Sequence, residues 1–248
     1  MQTEQTIKAG SEQKKRLTKR TIAAVFLIVA AIPATIYLGW RFAARQYYVV
    51  SLLIIIYTMI PFFLVFEKRK PQARELVVIA VMCAIAVVSR AAFIWAPHFK
   101  PMTAVIIITG MAFGAEAGFL TGAVSGFVSN FLFGQGPWTP WQMFAFGVSG
   151  FLAGLLHRKG LLSRKRLPLC LFGALCVMGI VGPLLDTCAL LTLTSKETRA
   201  AGAWPIYLSG LPVNAVHATA TVLTLLFFSR PMFDKLDRIK LKYGMLED

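Results

Sequence analysis

Charged residues are scarce in this chain of 248 residues, and acidic ones are the scarcest. Only 15% of the residues are Asp, Glu, Lys or Arg, whereas 57% are hydrophobic and the mean hydropathy is +0.67. This low charge content excludes an ordinary soluble domain, in which about 25% of residues are charged. The composition instead indicates a polytopic membrane protein.

Several functional motifs are also missing. The sequence has no G-x-x-x-x-G-K-[ST] phosphate-binding loop for ATP, and no pair of matching broken helices that would indicate a self-sufficient secondary transporter. Its cysteines have no metal-type spacing and fall within apolar runs, which favours a packing role without metal or covalent cofactor. The four are Cys83, Cys170, Cys176 and Cys188. If this protein binds a ligand for transport, a separate protein must therefore supply the energy.

Long apolar runs, in contrast, are abundant. A helix needs about 20 mostly apolar residues to cross a bilayer. Eight candidate spans occur at 21–40, 48–66, 75–95, 101–113, 114–133, 139–157, 168–193 and 206–228. The fourth and fifth would form one helix of about 50 Å, longer than a hydrocarbon core of about 30 Å, so the chain is expected to bend back near "FGAE". The sequence predicts an all-α polytopic membrane protein.

Basic residues are distributed unequally between the two sides of these spans. The tails and loops on one side hold 20 Lys and Arg residues and those on the other hold five, while Arg90 lies inside a span. Positive charge concentrates on the cytoplasmic side, so both termini are expected in the cytoplasm of a plasma-membrane protein. The net charge of +15 is then a topology signal with some attraction to anionic lipid, and nucleic-acid binding is not expected. "KKRLTKR" imitates a signal peptide, but no small-x-small cleavage site follows, which favours an uncleaved span.

Glycine recurs every four residues in "GMAFGAEAGFLTGAVSGFVSN", from Gly110 to Gly126. Small residues at this spacing let helices approach closely inside a membrane. The row drifts by about 160° around a straight helix, so no single neighbour is expected to cover all of it. We expect the first glycines to serve the bend and the later ones to serve packing, with a second small face at "GVSGFLAGLL".

Polar residues inside the spans are costly and therefore suggest function. They are Arg90, Glu116, Asn130, Asp186, Asn214 and His217, and all except Glu116 fall in the outer halves of their spans. Two loops, "WAPHFKP" and "LFGQGPWTPWQ", are expected to roof a small-molecule site there. The candidate contacts are Arg90, Trp95, His98, Asn130, Gln135, Trp138, Trp141, Gln142, Asp186, Asn214 and His217. Structural alternatives stay open, because Arg90 and Asp186 could pair, Asn130 could bond a neighbouring backbone and His217 could be a packing residue.

The region from about Arg74 to Phe228 resembles the substrate-binding S component of energy-coupling factor (ECF) vitamin transporters. The similarity rests on "AVMCA", the short span after it, the glycine-rich "FGAEAGFLTGAVSGFVSNFLFG" and "GPWTPWQMFAFGVSGFLAGLL". It implies a six-helix substrate-binding core at 71–230, with Ala80 and Ala84 facing a membrane coupling protein that two ATPases drive with ATP. An extra N-terminal hairpin at 21–70, which the six-helix core does not require, and cytoplasmic tails at 1–20 and 231–248 complete the expected organisation.

The ligand and one competing activity remain open at this stage. "GQGPWTPWQMFAFG" looks most like S components assigned to cobalamin, so a corrinoid is the first expectation. Dimethylbenzimidazole, a queuosine precursor and smaller B vitamins are the alternatives. Ser149 and His217 also resemble the Ser-His pair of rhomboid intramembrane proteases. That resemblance lacks the glycines expected after the histidine, the His and Asn pair of an earlier span and the Trp-Arg loop signature, so packing is the better interpretation of Ser149.

Overall fold

A computed structural model describes residues 73–192 and 204–244, together with the isolated positions 30, 34, 37 and 53. Apart from those four positions, the predicted tail at 1–20 and the hairpin at 21–70 lie outside the described residues. All regular secondary structure in the described part is helical. The helices are α1 Ala73–Ala91, α2 Met102–Phe113, α3 Ala115–Phe133, α4 Thr139–Arg158, α5 Arg166–Cys176, a π-helical turn Val177–Val181, α6 Gly182–Thr192 and α7 Trp204–Tyr243.

Two stretches of the described chain are long and apolar enough to cross a membrane by a test of length and composition. They are Arg166–Leu190 and Trp204–Tyr243, whose 18-residue apolar segments have mean hydropathies of 2.2 and 1.6. The first runs from α5 through the π-helical turn into α6 without a break, so the described part of the predicted span 168–193 is one continuous helix. The remaining predicted core spans appear as α1 to α4, close to their expected bounds.

The short helix α2 forms the centre of the bundle. Every residue from Met102 to Phe113 is buried, and α1, α3, α4 and α7 all pack around it. Its 12 residues span only about 18 Å, too short to cross a bilayer alone. This length is possible because the neighbouring helices separate α2 from the surface.

The chain reverses between α2 and α3 at Gly114, inside the predicted "FGAE". Gly114 has φ 99°, a conformation that favours glycine because it has no Cβ. Glu116 follows in the first turn of α3, where the positive end of the helix dipole stabilises a carboxylate. The bend predicted from span length is therefore confirmed.

The glycine row packs differently from the sequence expectation. A Cβ at Gly110 or Gly118 would overlap the Gly150 backbone, one at Gly122 would overlap the backbone at Phe146, and one at Gly126 would lie 3.2 Å from Met143 Cα. All these neighbours belong to α4, so one helix contacts four of the five glycines, more than the drift around a straight helix predicted, while the fifth, Gly114, forms the bend. The physical reason is the break at Gly114, since the drift calculated for one straight helix does not carry over from α2 to α3.

Helix α7 extends well beyond its predicted end at 228. It continues to Tyr243, for 40 residues in all, or about 60 Å. Phe233 and Leu236 lie on one side of this extension and are buried in the main core. Because these two residues pack into the core, the helix continues through residues 231–243, which the sequence assigned to the cytoplasmic tail.

Candidate functional site

A buried hydrogen-bond network joins the end of α1 to the end of α3 and the start of α4. Arg90 donates to Ser129 Oγ and, at 3.0 Å, to Asn130 Oδ1. Asn130 Nδ2 donates to Thr139 Oγ1 at 3.0 Å, and Thr139 Oγ1 donates to Gln135 Oε1 at 2.8 Å. Arg90 is 8% exposed and Asn130 is 1% exposed. We call these five residues the Arg90 network.

Two cations of this region share one aromatic ring. Phe133 lies 4.4 Å from Arg90 Cζ and 4.8 Å from Lys100 Nζ, distances at which a ring face attracts a cation. Lys100 also donates to the carbonyl oxygen of Phe93 at 2.9 Å. Partial burial, and then the charge of Arg90, lower the pKa of Lys100. Within the described ranges no carboxylate forms an ion pair with either cation, so this end of the bundle favours a ligand with oxygen acceptors.

His217 belongs to a second polar group, between α2 and α7. Its Nε2 lies 3.0 Å from Thr103 Oγ1, and its ring meets Phe146 edge to face at 6.2 Å between centroids. Thr103 is at the start of α2, whereas His217 is 13 residues beyond the start of α7 at Trp204. At about 1.5 Å per residue, the start of α2 is set back by about 20 Å from the start of α7. Thr103 follows Lys100 by three residues, so the second group adjoins the Arg90 network.

Asp186 and Asn214 form a third group, between α6 and α7. Asn214 Nδ2 donates to Asp186 Oδ2 at 2.9 Å. Glycines make room for both side chains, because a Cβ at Gly210 would overlap the Asp186 carboxylate and one at Gly182 would lie 2.5 Å from the Asn214 amide. The pairing of Arg90 with Asp186 considered from the sequence is therefore not formed, since each has other partners.

The tryptophan and histidine residues in and beside the predicted loops differ in their exposure. Trp95 is 76% exposed, and His98 is exposed in the same loop with φ 61°. Trp138 is half-buried and donates from Nε1 to the Gly134 carbonyl oxygen at 3.3 Å. Trp141 is only 4% exposed, so it packs inside the bundle.

Gln142 carries a buried acceptor that no described group satisfies. Its Oε1 is buried and has no hydrogen-bond partner among the described residues. Gln142 lies in the first turns of α4, one helical turn after Trp138 and one before Phe146. A buried acceptor without a donor is costly, so this atom is suited to receive a hydrogen bond from a bound molecule.

The groups that connect the predicted residues were not predicted from the sequence. Ser129 and Thr139 complete the Arg90 network. Thr103 forms a hydrogen bond with His217, and the ring of Phe133 contacts Arg90 and Lys100. Hydroxyl residues inside spans often bond their own helix and so gave no distinct signal. The Thr139-Pro140 start of α4, directly after the Gly-Pro-Trp loop, was the one available clue.

The Ser149 environment does not favour a protease. Ser149 is fully buried and donates to the Ala145 carbonyl oxygen at 2.9 Å, one turn earlier in α4. His217 has Thr103 as its described partner. No nucleophile and base are therefore paired here, and the packing interpretation of Ser149 is the better one.

The predicted partner surface on α1 is exposed within the described part of the chain. Ala80 and Ala84 are both exposed on α1, whereas Ile79 and Cys83 turn inward to the core. Their exposed apolar neighbours Val77, Val81, Ile85 and Val88 make this face smooth and hydrophobic. Such a face is suited to close helix contact within a membrane.

Comparison with known families identifies the chain. Residues 70–231, well over half of it, match the family of ECF-type riboflavin transporter S components. The chain belongs to this family. A UPF0397 protein of Vibrio atlanticus (strain LGP32) is 29% identical over 118 residues, which are 45% of this chain and 64% of that relative's length. No solved structure matches.

Membership confirms the S-component resemblance and places the protein in a membrane-embedded family of transporter subunits, not enzymes. ECF S components work with a module of ATPases and a transmembrane coupling component. The family description names riboflavin, so the match gives no support to the cobalamin expected from the "GQGPWTPWQMFAFG" segment.

Proposed function

We propose that this S component binds a vitamin-type small molecule at the outer end of the bundle. A separate membrane coupling protein and two ATPases then drive its delivery inward. Family membership supports this division of labour, and so does the absence of an ATP-binding phosphate loop from the sequence. The proposed location is the plasma membrane, with several spans and both termini in the cytoplasm, as the 20-to-5 distribution of basic residues indicates.

The proposed ligand is a flavin, and the family match is the observation that carries this choice. A flavin combines a planar aromatic ring with an edge of alternating donors and acceptors and a polyhydroxyl chain. The outer end offers amide groups at Asn130 and Gln142, the aromatic rings of Phe133 and Trp138, and the positive charge of Arg90. The amide groups suit the donor–acceptor edge of the flavin, the aromatic rings suit its planar ring, and the positive charge suits its carbonyl oxygens.

The proposed coupling surface is the exposed face of α1 that contains Ala80 and Ala84. Close approach between lipid-embedded helices requires small side chains, and both residues are exposed on the bundle surface. Neither Ala80 nor Ala84 belongs to the Arg90 network, so coupling and ligand binding occupy separate surfaces. Substitutions at the two places should therefore have separable effects.

Ligand titration tests the proposal. Binding to purified protein should quench riboflavin fluorescence, and cobalamin should not compete. Gln142→Met keeps the side-chain length but removes the unpaired acceptor, and we expect it to weaken riboflavin binding by about tenfold, equivalent to one hydrogen bond of about 1.4 kcal/mol. Cobalamin binding without riboflavin binding would contradict the flavin assignment. An unchanged affinity of Gln142→Met would exclude Gln142 from the site.

A further inference from the structure

A cleft of about 530 Å³ lies at the other end of the bundle from the Arg90 network. Helix α4 begins at Thr139 within that network and ends at Arg158, so the connection from α4 to α5 is at the opposite end. The cleft lies between the start of α5 and the last third of α7. Its lining residues are Arg164, Lys165, Arg166, Arg230, Phe233, Asp234 and Asp237. We call it the α5–α7 cleft.

Positive charge dominates the α5–α7 cleft, with four basic residues against two carboxylates. Arg164 pairs with Asp237 at 2.7 Å and stacks on Phe233, with Cζ 4.7 Å from the ring centroid. Its Nε is nevertheless buried without a hydrogen-bond partner among the described residues. Lys165 and Arg166 are exposed and form no ion pair with any described carboxylate. The cleft thus holds an excess of donors and of positive charge.

The position of these charges on α5 is itself unfavourable without an anion. Three consecutive basic residues, Arg164 to Arg166, stand at the start of this helix, where the helix dipole is already positive. The first turn has no acidic residue, and the N-cap residue Lys165 makes no capping hydrogen bond. An anion in the cleft would relieve the charge repulsion and approach the uncapped N–H groups of the first turn.

Exposed apolar side chains flank the cleft residues along both helices. Leu167 and Leu171, in the first turns of α5, are 81% and 59% exposed, and Phe227, one turn before the cleft on α7, is 64% exposed. Phe233 provides an apolar wall within the cleft itself. Cations at the edge of a membrane with apolar side chains beside them match a lipid headgroup and its acyl chains.

We propose that the α5–α7 cleft binds the phosphate of an anionic phospholipid headgroup, with the acyl chains along the exposed apolar residues of α5 and α7. The phosphate lies between Arg164, Arg230 and the first turn of α5. This site does not depend on which vitamin the protein binds, because the cleft and the Arg90 network are at opposite ends of the bundle.

Native mass spectrometry of the full chain, released from phosphatidylcholine nanodiscs with a minority of phosphatidylglycerol, tests the proposal. The protein should retain phosphatidylglycerol in preference to phosphatidylcholine. Lys165→Gln/Arg166→Gln should lower that retention by roughly tenfold, because it removes the two charges that flank the bound phosphate in the cleft. Lys235→Gln/Arg238→Gln removes the same charge from exposed residues of α7 outside the cleft, and its retention should match wild type.

Each alternative gives a different result. Equal losses in both double variants would overturn the proposal in favour of general charge attraction, and no loss in either would exclude the site. Displacement of the lipid by inorganic phosphate would assign the cleft to a small soluble anion. Loss of a co-purifying coupling protein with phosphatidylglycerol retained would assign it to a protein interface. A thermal unfolding measurement checks that both double variants are folded, and Arg230→Gln provides an independent test of the cleft.

Discussion

Gly118→Ala is the substitution that tests the helix packing most sharply. An added Cβ would lie 2.6 Å from Gly110 Cα and 2.7 Å from the Gly150 carbonyl carbon. Both atoms belong to backbone, so no side chain can rotate away and the helices themselves must separate. Overpacking of this kind costs about 1–3 kcal/mol. At about 2–4 °C per kcal/mol for a protein of this size, the melting temperature should fall by about 2–12 °C.

Gly179→Ala is the matched control for this experiment. Gly179 lies in the π-helical turn and has no heavy atom within 4 Å of its added Cβ. Alanine is favoured over glycine in helical backbone, so this change should leave the melting temperature unchanged or raise it slightly. The pair separates the effect of a close contact from the effect of losing glycine flexibility.

A thiol-reactive fluorescent dye reports the unfolding of both variants. All four cysteines of the chain are free and buried, so the dye reacts when the bundle opens. If Gly118→Ala has the same melting temperature as wild type, the backbone contact between α2, α3 and α4 is refuted. An equal fall in the melting temperature of Gly179→Ala would show that the loss of glycine flexibility, and not a close contact, destabilises both variants.

Three further predictions follow from the polar network and the surfaces. Arg90→Gln should weaken riboflavin binding by at least about tenfold, measured by fluorescence titration, because it removes the charge and leaves Asn130 short of a donor; unchanged affinity would exclude the network from the site. Ala80→Leu/Ala84→Leu should stop uptake into cells while binding to the isolated protein stays within about tenfold, since the added bulk lies on the exposed face of α1, and normal transport would show that this face is misassigned. Ser149→Ala should leave uptake largely intact, and a membrane-peptide cleavage that disappears in this variant would argue for a protease.

The sequence was sufficient for the helical bundle because bilayer thickness restricts helix length. The run 101–133 was too long for one span, and this alone located the bend that the structure places at Gly114. The end of α7 could not be found in the same way. Charged residues after 228 marked the membrane boundary, but the helix continues because Phe233 and Leu236 pack into the core.

The polar residues inside the spans could be found from the sequence, whereas their grouping could not. The cost of a polar group in lipid identifies Arg90, Asn130, Asp186 and His217 without any knowledge of their partners. Their separation into three groups depends on which helices adjoin. The hydroxyl group of Thr103 is the hydrogen-bond partner of His217, but a threonine in a span is too common to indicate a site from the sequence.

Purification of the tagged protein from its native host membrane, followed by mass spectrometry of what accompanies it, tests the proposed transport function most directly. The proposal predicts a flavin in the bound small-molecule fraction, with a membrane coupling protein and two ATPases among the co-purifying proteins. A corrinoid in place of the flavin would refute the ligand assignment while preserving the transporter. Recovery of the protein with no coupling protein and no ATPase would contradict its proposed role as the binding subunit of an ATP-driven importer.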